Sequence, residues 1–205
     1  MTTRLHSTLL LLYKMQPEEV AALSDDLLDQ RKDVWKRTLA RRAREYGVPG
    51  ASPNAPRGGD LAELKAMSNE DAKSIAATWE RDVERQIERL FNDNPRGNRN
   101  YYISNMERWA RDREQWKSVQ IANVTERGTA FYAETRFRQE NDVTADRYIY
   151  QGPAPVSAEC VKRFGAGVVD FNYVRRHGTP AHVGCPHEWG LVTAQRLDPA
   201  TIWVG

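Results

Sequence analysis

A chain of 205 residues, 40% hydrophobic and 28% charged, carries enough apolar material to bury a core, which excludes an intrinsically disordered protein. Its 30 Lys+Arg offset 28 Asp+Glu to a net charge of +2, so the overall charge does not mark a nucleic-acid coat or a membrane-surface protein. Two cysteines, Cys160 and Cys185, are too few for a secreted disulfide scaffold.

The strongest apolar run, Leu9 to Tyr13, is far shorter than the roughly 20 residues that span a bilayer. It follows Arg4 but lacks the length and cleavage site of a signal peptide, so the expected place of synthesis and assembly is the cytoplasm. Pro17 with Glu18 and Glu19 marks a helix start, since proline suits the first helical position and acids favour the positive end of the dipole. Val20, Leu23, Leu27, Val34 and Leu39 recur at helical spacing until Gly47, which predicts a helix of about 30 residues. In its second half, Arg31 to Arg44, basic residues far outnumber the one acid, Asp33. That is the pattern of a solvated helix face, or of a local contact with DNA backbone in which Arg41, Arg42 and Arg44 would touch phosphates.

Residues 48–60 hold three prolines and three glycines and read as a linker. Ser68, with Asp71 three residues on, resembles a capping box opening a helix. Ile75, Trp79, Val83, Ile87, Leu90 and Phe91 give that helix an apolar stripe, and Pro95 and Gly97 end it. A third helical region runs from about Asn100 to Asn141, with Tyr102, Met106, Trp109 and Trp116 on one face and Ile121, Val124, Phe131 and Phe137 further on. Gly128 within it marks a kink or a close approach.

At Asp142 the character changes. Pro and Gly become frequent, and short β-prone runs appear at Arg147–Tyr150, Val168–Val174 and Leu191–Ala194. The expected fold is α+β and mostly α: a helical domain at 1–141, then a small loop-rich β module at 142–205 carrying a Cys/His cluster.

That cluster is the main chemical feature. Three of the four histidines and both cysteines fall between Cys160 and His187. Thiolate and imidazole are the ligands of tetrahedral zinc, so Cys160, His182, Cys185 and His187 are the candidate metal set, with His177 a further option. No CxxC occurs, and the competing reading is two buried small cysteines with no metal at all. A disulfide between them is a third. GxSxG, HExxH, a phosphate-binding Gly-Lys-Ser/Thr loop and GxGxxG are all missing. Cys160 with His177 and Asp170 can be written as a nucleophilic triad, and His177 or His182 near Glu188 as a metal nuclease, but most sequences permit such assemblies. The expectation is a protein that is not an enzyme.

The order of these pieces resembles the minor head proteins of tailed bacteriophages, the family typified by the phage Mu F protein and related head morphogenesis proteins. The matching pieces are Val124-Thr125-Glu126-Arg127-Gly128 on the third helix, the Arg147–Tyr150 strand, the Cys160 turn, and His182 to Trp189 at the close. The likeness covers about residues 115–195. It departs from the family where Val161-Lys162-Arg163 follow Cys160 in place of a Cys-x-x-Cys, and where His187 stands for the second closing cysteine. The resemblance implies a virion component of the head or head–tail junction, in a multi-protein assembly with portal and major capsid protein, and a contact of the basic segment with phage DNA is compatible with that role. A ring-forming head–tail connector fits the same size and helix content.

Overall fold

The structure, a computed structural model, describes residues 2–48, 50–155, 157–177 and 185–205; the side chains of residues 2–4, 116 and 120 fall outside it, so Trp116 cannot be placed on its helix face. Four helices lead: α1 (Thr2–Tyr13), α2 (Pro17–Glu45), α3 (Gly58–Asp93) and α4 (Arg99–Glu140). The remainder is β1 (Arg147–Gln151), α5 (Ala158–Gly165), β2 (Val168–Asp170), α6 (Phe171–His177) and β3 (Glu188–Thr193). The chain is therefore α+β and mostly α, with long N-terminal helices and a small antiparallel sheet in the order β2-β1-β3. None of the described helices is long and apolar enough to cross a membrane.

Tertiary contacts group the chain into two units: residues 1–28 with 62–119, and residues 29–61 with 120–205. Helices α2, α3 and α4 each give residues to both.

The first unit is helical, and its core joins Leu9 of α1, Trp79, Val83, Ile87 and Leu90 of α3, and Tyr102, Met106 and Ala110 of α4. Of the expected stripes, Trp79, Val83, Ile87 and Leu90 on α3 and Tyr102 and Met106 on α4 lie in this core, with Phe91 and Trp109 packed against it. Phe91 stacks on Tyr102 with ring centroids 4.4 Å apart, and Trp79 on Trp109 at 5.4 Å. Asn98 accepts from Tyr101 N at 2.9 Å and so caps α4.

In the second unit, α2 buries Val34, Trp35, Leu39 and Ala43. The facing part of α4 buries Thr125, Thr129, Ala133 and Phe137, which recur every four residues and form one stripe. The small Thr129 lets the buried Arg31 guanidinium donate to its hydroxyl at 2.7 Å. The C-terminal segment docks on this unit: Trp203 N donates to Asn141 Oδ1, Asn141 Nδ2 donates back to Trp203 O, and the Trp203 ring packs edge-on to Trp35.

Four sequence expectations need correction. Helix α3 begins at Gly58, ten residues before the expected cap, so the 48–60 linker ends early. Ser68 is buried inside α3, and its hydroxyl donates back to Leu64 O at 2.8 Å, the usual bond of a mid-helix serine rather than a cap. Val168–Val174 is a strand for three residues only. Asp170 then accepts from Tyr173 N at 2.8 Å and turns the chain into α6. Helix α4 runs unbroken through Gly128, and nothing lies within 4 Å of where a Cβ there would sit.

Candidate functional site

The sheet and the two short helices enclose a small aromatic core of Tyr148, Tyr150, Phe171, Val174 and Trp189, with Phe131 of α4 packed against it. Strand β1 alternates, so Tyr148 and Tyr150 point inward while Arg147, Ile149 and Gln151 point out. Ser157 has extended backbone (φ −111°, ψ 152°) and its side chain accepts from Cys160 N, which starts α5 and places Cys160 in this core. Cys185 and His187 come from the stretch leading into β3.

These segments bring three of the four candidate metal residues together. Cys160, Cys185 and His187 are all buried, and their ligand atoms lie within 4.8 Å of one another. The two sulfurs are 3.7 Å apart, and Cys185 Sγ is 3.3 Å from His187 Nδ1. His182 lies outside the described residues. No disulfide joins the two cysteines in this structure, so the disulfide reading is not the observed state.

The ring of His187 has a defined direction. Its Nε2 is 2.8 Å from the Pro153 carbonyl, which can only accept, so Nε2 carries the hydrogen and donates. The Nδ1 lone pair of the neutral ring then faces Cys185 Sγ. Burial opposes a charge on this ring, but bonding to Cys185, Pro153 and Cys160 outweighs it and holds the pKa above the ordinary imidazole value. Tyr150 adds its hydroxyl 3.3 Å from Cys185 Sγ. Burial first, and the Cys185 contact second, hold that phenol well above its ordinary pKa, so it remains neutral.

Sequence reading missed Tyr150, Gly152 and Pro153. Gly152 has φ +142°, and a Cβ on it would stand 2.6 Å from His187 Cδ2 and 3.2 Å from its Cα. The Gly-Pro pair after a β-prone run is a turn signal that points at this spot. Gly152→Ala is expected to displace the His187 ring and to cost about 1–3 kcal/mol, because backbone strain adds to the clash. Thermal denaturation reads the cost, and a shift of the His187 imidazole NMR resonances reads the displacement.

Other sequence candidates lie elsewhere. Asp170 caps α6, and His177 stacks on Tyr173 with centroids 4.2 Å apart, so each is engaged in local structure while Cys160 belongs to the cluster. Of the three arginines assigned to nucleic acid, Arg42 is only 3% exposed and pairs with Glu45 and Glu134. Arg41 has half its side chain exposed, with Glu134 at 3.8 Å and Glu45 at 4.0 Å. Arg44 is exposed, and its Nε donates to Ala40 O.

Arg41 and Arg42, but not Arg44, border a cleft of about 580 Å³ in the second unit, where Arg37, Arg41 and Arg42 face Glu45, Glu126 and Glu134. Glu188 and Trp189 of β3 form part of its wall. Charges of both signs line it, so the cleft has no single-sign field to gather an anion or a cation.

Comparison with known proteins gives no match to a protein family, to a curated protein or to a solved structure.

Proposed function

We propose that this chain is a structural component of a tailed-phage head, a minor head protein acting in assembly at or near the portal and catalysing no reaction of its own. The observation that carries the reading is the convergence of the separate sequence pieces on which the family resemblance rests. Tyr150 of β1, Cys160 of α5, and Trp189 of β3 share one core, and Glu126 and Arg127 of α4 line the same cleft as Trp189. Pieces spread over about 65 residues of sequence thus belong to one module, as a shared domain requires.

The helices add support of a general kind. Chains of 29, 36 and 42 residues extend roughly 44, 54 and 63 Å at 1.5 Å per residue. Long charged faces of this sort suit contacts with several neighbours, here the portal and the major capsid protein. A DNA contact in this role falls to Arg41 and Arg44, the exposed two of the three arginines assigned to it, with Lys36 and Arg37 exposed on the same segment.

Native mass spectrometry of the purified chain, alone and mixed with the portal protein of the same phage, tests the reading. A portal-bound species with a few copies of this chain is the expected result. A closed ring matching the portal's symmetry would identify a head–tail connector instead, and a chain indifferent to the portal would overturn both.

A further inference from the structure

We propose that Cys160, Cys185 and His187 form a binding site for a zinc-class divalent cation that locks the C-terminal module. The inference stands on its own geometry and holds whether or not the chain is a head protein.

Two of the distances between ligand atoms match those of a tetrahedral metal site. Zinc binds thiolate sulfur at about 2.3 Å and imidazole nitrogen at about 2.0–2.1 Å, so tetrahedral angles put two sulfurs about 3.8 Å apart and sulfur and nitrogen about 3.5 Å apart. The observed separations are 3.7 Å and 3.3 Å. The sulfur pair is far beyond the about 2.0 Å of a disulfide bond.

The second observation is independent of those distances. A metal-ligating histidine usually donates its other ring N–H to a carbonyl or carboxylate, which fixes the tautomer and turns the free lone pair to the metal. His187 does this, with Nε2 on Pro153 O and Nδ1 toward the sulfurs. Gly152 is the residue that lets the ring approach this closely.

The chemistry of the set selects the metal. Two soft thiolates and an imidazole suit zinc and disfavour calcium or magnesium, which take oxygen ligands. Binding replaces two thiol protons by one dication, so the two thiolates, the metal and a neutral imidazole sum to zero charge in a buried place. Among the described residues no further Cys, His, Asp or Glu joins the group. Within the described residues the fourth corner falls to the Tyr150 hydroxyl, 3.3 Å from Cys185 Sγ, or to water.

The benefit to the fold follows from where the ligands sit. Strands of five, three and six residues make a thin sheet. A metal would tie α5 to the approach of β3 by joining two cysteines 25 positions apart in sequence. In small modules, metal-binding energy becomes folding energy.

The test uses the full chain under reducing conditions, stripped with a chelator and titrated with Zn²⁺ and with Co²⁺ as a coloured probe. The expected result is one metal per chain, a thiolate-to-cobalt charge-transfer band with tetrahedral d–d bands, and a melting temperature several degrees higher with zinc than without. Both thiols should react with a thiol reagent at least tenfold more slowly when zinc is bound. His187→Ala should weaken cobalt binding at least tenfold and alter the d–d bands. Because that variant risks misfolding, the thiol-protection measurement on the unmutated chain stands as the second arm. A folded chain whose thiols react equally fast with and without zinc, and which gives no charge-transfer band, would overturn the proposal. So would a His187→Ala chain that binds cobalt with unchanged affinity and spectrum.

Discussion

Glu134→Gln is expected to destabilise the protein by about 3–5 kcal/mol, the cost of removing one partner from a buried ion network. Glu134 pairs with Arg42 and Arg138, both almost wholly buried, and lies 3.8 Å from Arg41. Arg138 goes on to the buried Asp146 and Tyr148, and Asp146 accepts from Tyr46 and from Gln195 N. Glutamine keeps the shape but removes the charge, leaving two guanidiniums held away from water with one carboxylate fewer. Arg41→Gln is the control, since half its side chain is exposed and its loss should cost under about 1 kcal/mol. Urea denaturation of the two variants reads the difference, and equal costs would refute the network.

The same network sets an acid limit. Burial tends to raise the carboxyl pKa of Glu134, but Arg138 and Arg42 outweigh it and hold the value below the ordinary 4.5. A group depressed in the folded state contributes stability that is full above its unfolded pKa and is lost as pH falls through the folded value. The Glu134 contribution is therefore present at neutral pH and declines only below about pH 4.5. Glu134→Gln should flatten the stability profile in that acid range.

Trp35→Ala is the second large effect, at about 3–5 kcal/mol for truncating a large buried aromatic. Trp35 is 1% exposed and packs on Tyr132 and on the edge of Trp203. Its loss should also loosen the C-terminal segment, which reaches Asn141 through two hydrogen bonds and Asn54 through the Gly205 carbonyl. Hydrogen exchange should speed up at Trp203 N, the backbone donor of that segment. Unchanged exchange there, with normal stability, would contradict the packing described.

How much of this could be read in the sequence differs by element. Helix α2 was legible because Pro17, Glu18, Glu19 and Gly47 mark its ends, and α4 because apolar residues recur at helical spacing through it. The start of α3 was not, since Gly58, Gly59 and Asp60 look like linker and Ser68 mimics a cap. Helix α6 was hidden behind the β-branched Val168 and Val169, although Asp170 three residues before Tyr173 is a capping signal. The composition of the Cys/His cluster was legible, while its geometry depends on Tyr150, Gly152 and Pro153, which carry no metal signature of their own. Least legible was the ion network. Arg42, Arg138 and Asp146 look like ordinary surface charges, and only the fold reveals that they are buried together.

That contrast bears on function. The basic segment of α2 looked uniform, yet Arg31 and Arg42 serve the interior while Arg41 and Arg44 face solvent. A reading of charge along the chain overstates what is available to a partner by the number of arginines the core consumes.

The most direct measurement of the functional reading is quantitative mass spectrometry of purified phage particles and their head precursors. A minor head protein is expected there in a few copies per particle, co-purifying with the portal. Complete absence of its peptides from both heads and precursors, with the chain abundant in the infected cell, would contradict a place in the virion.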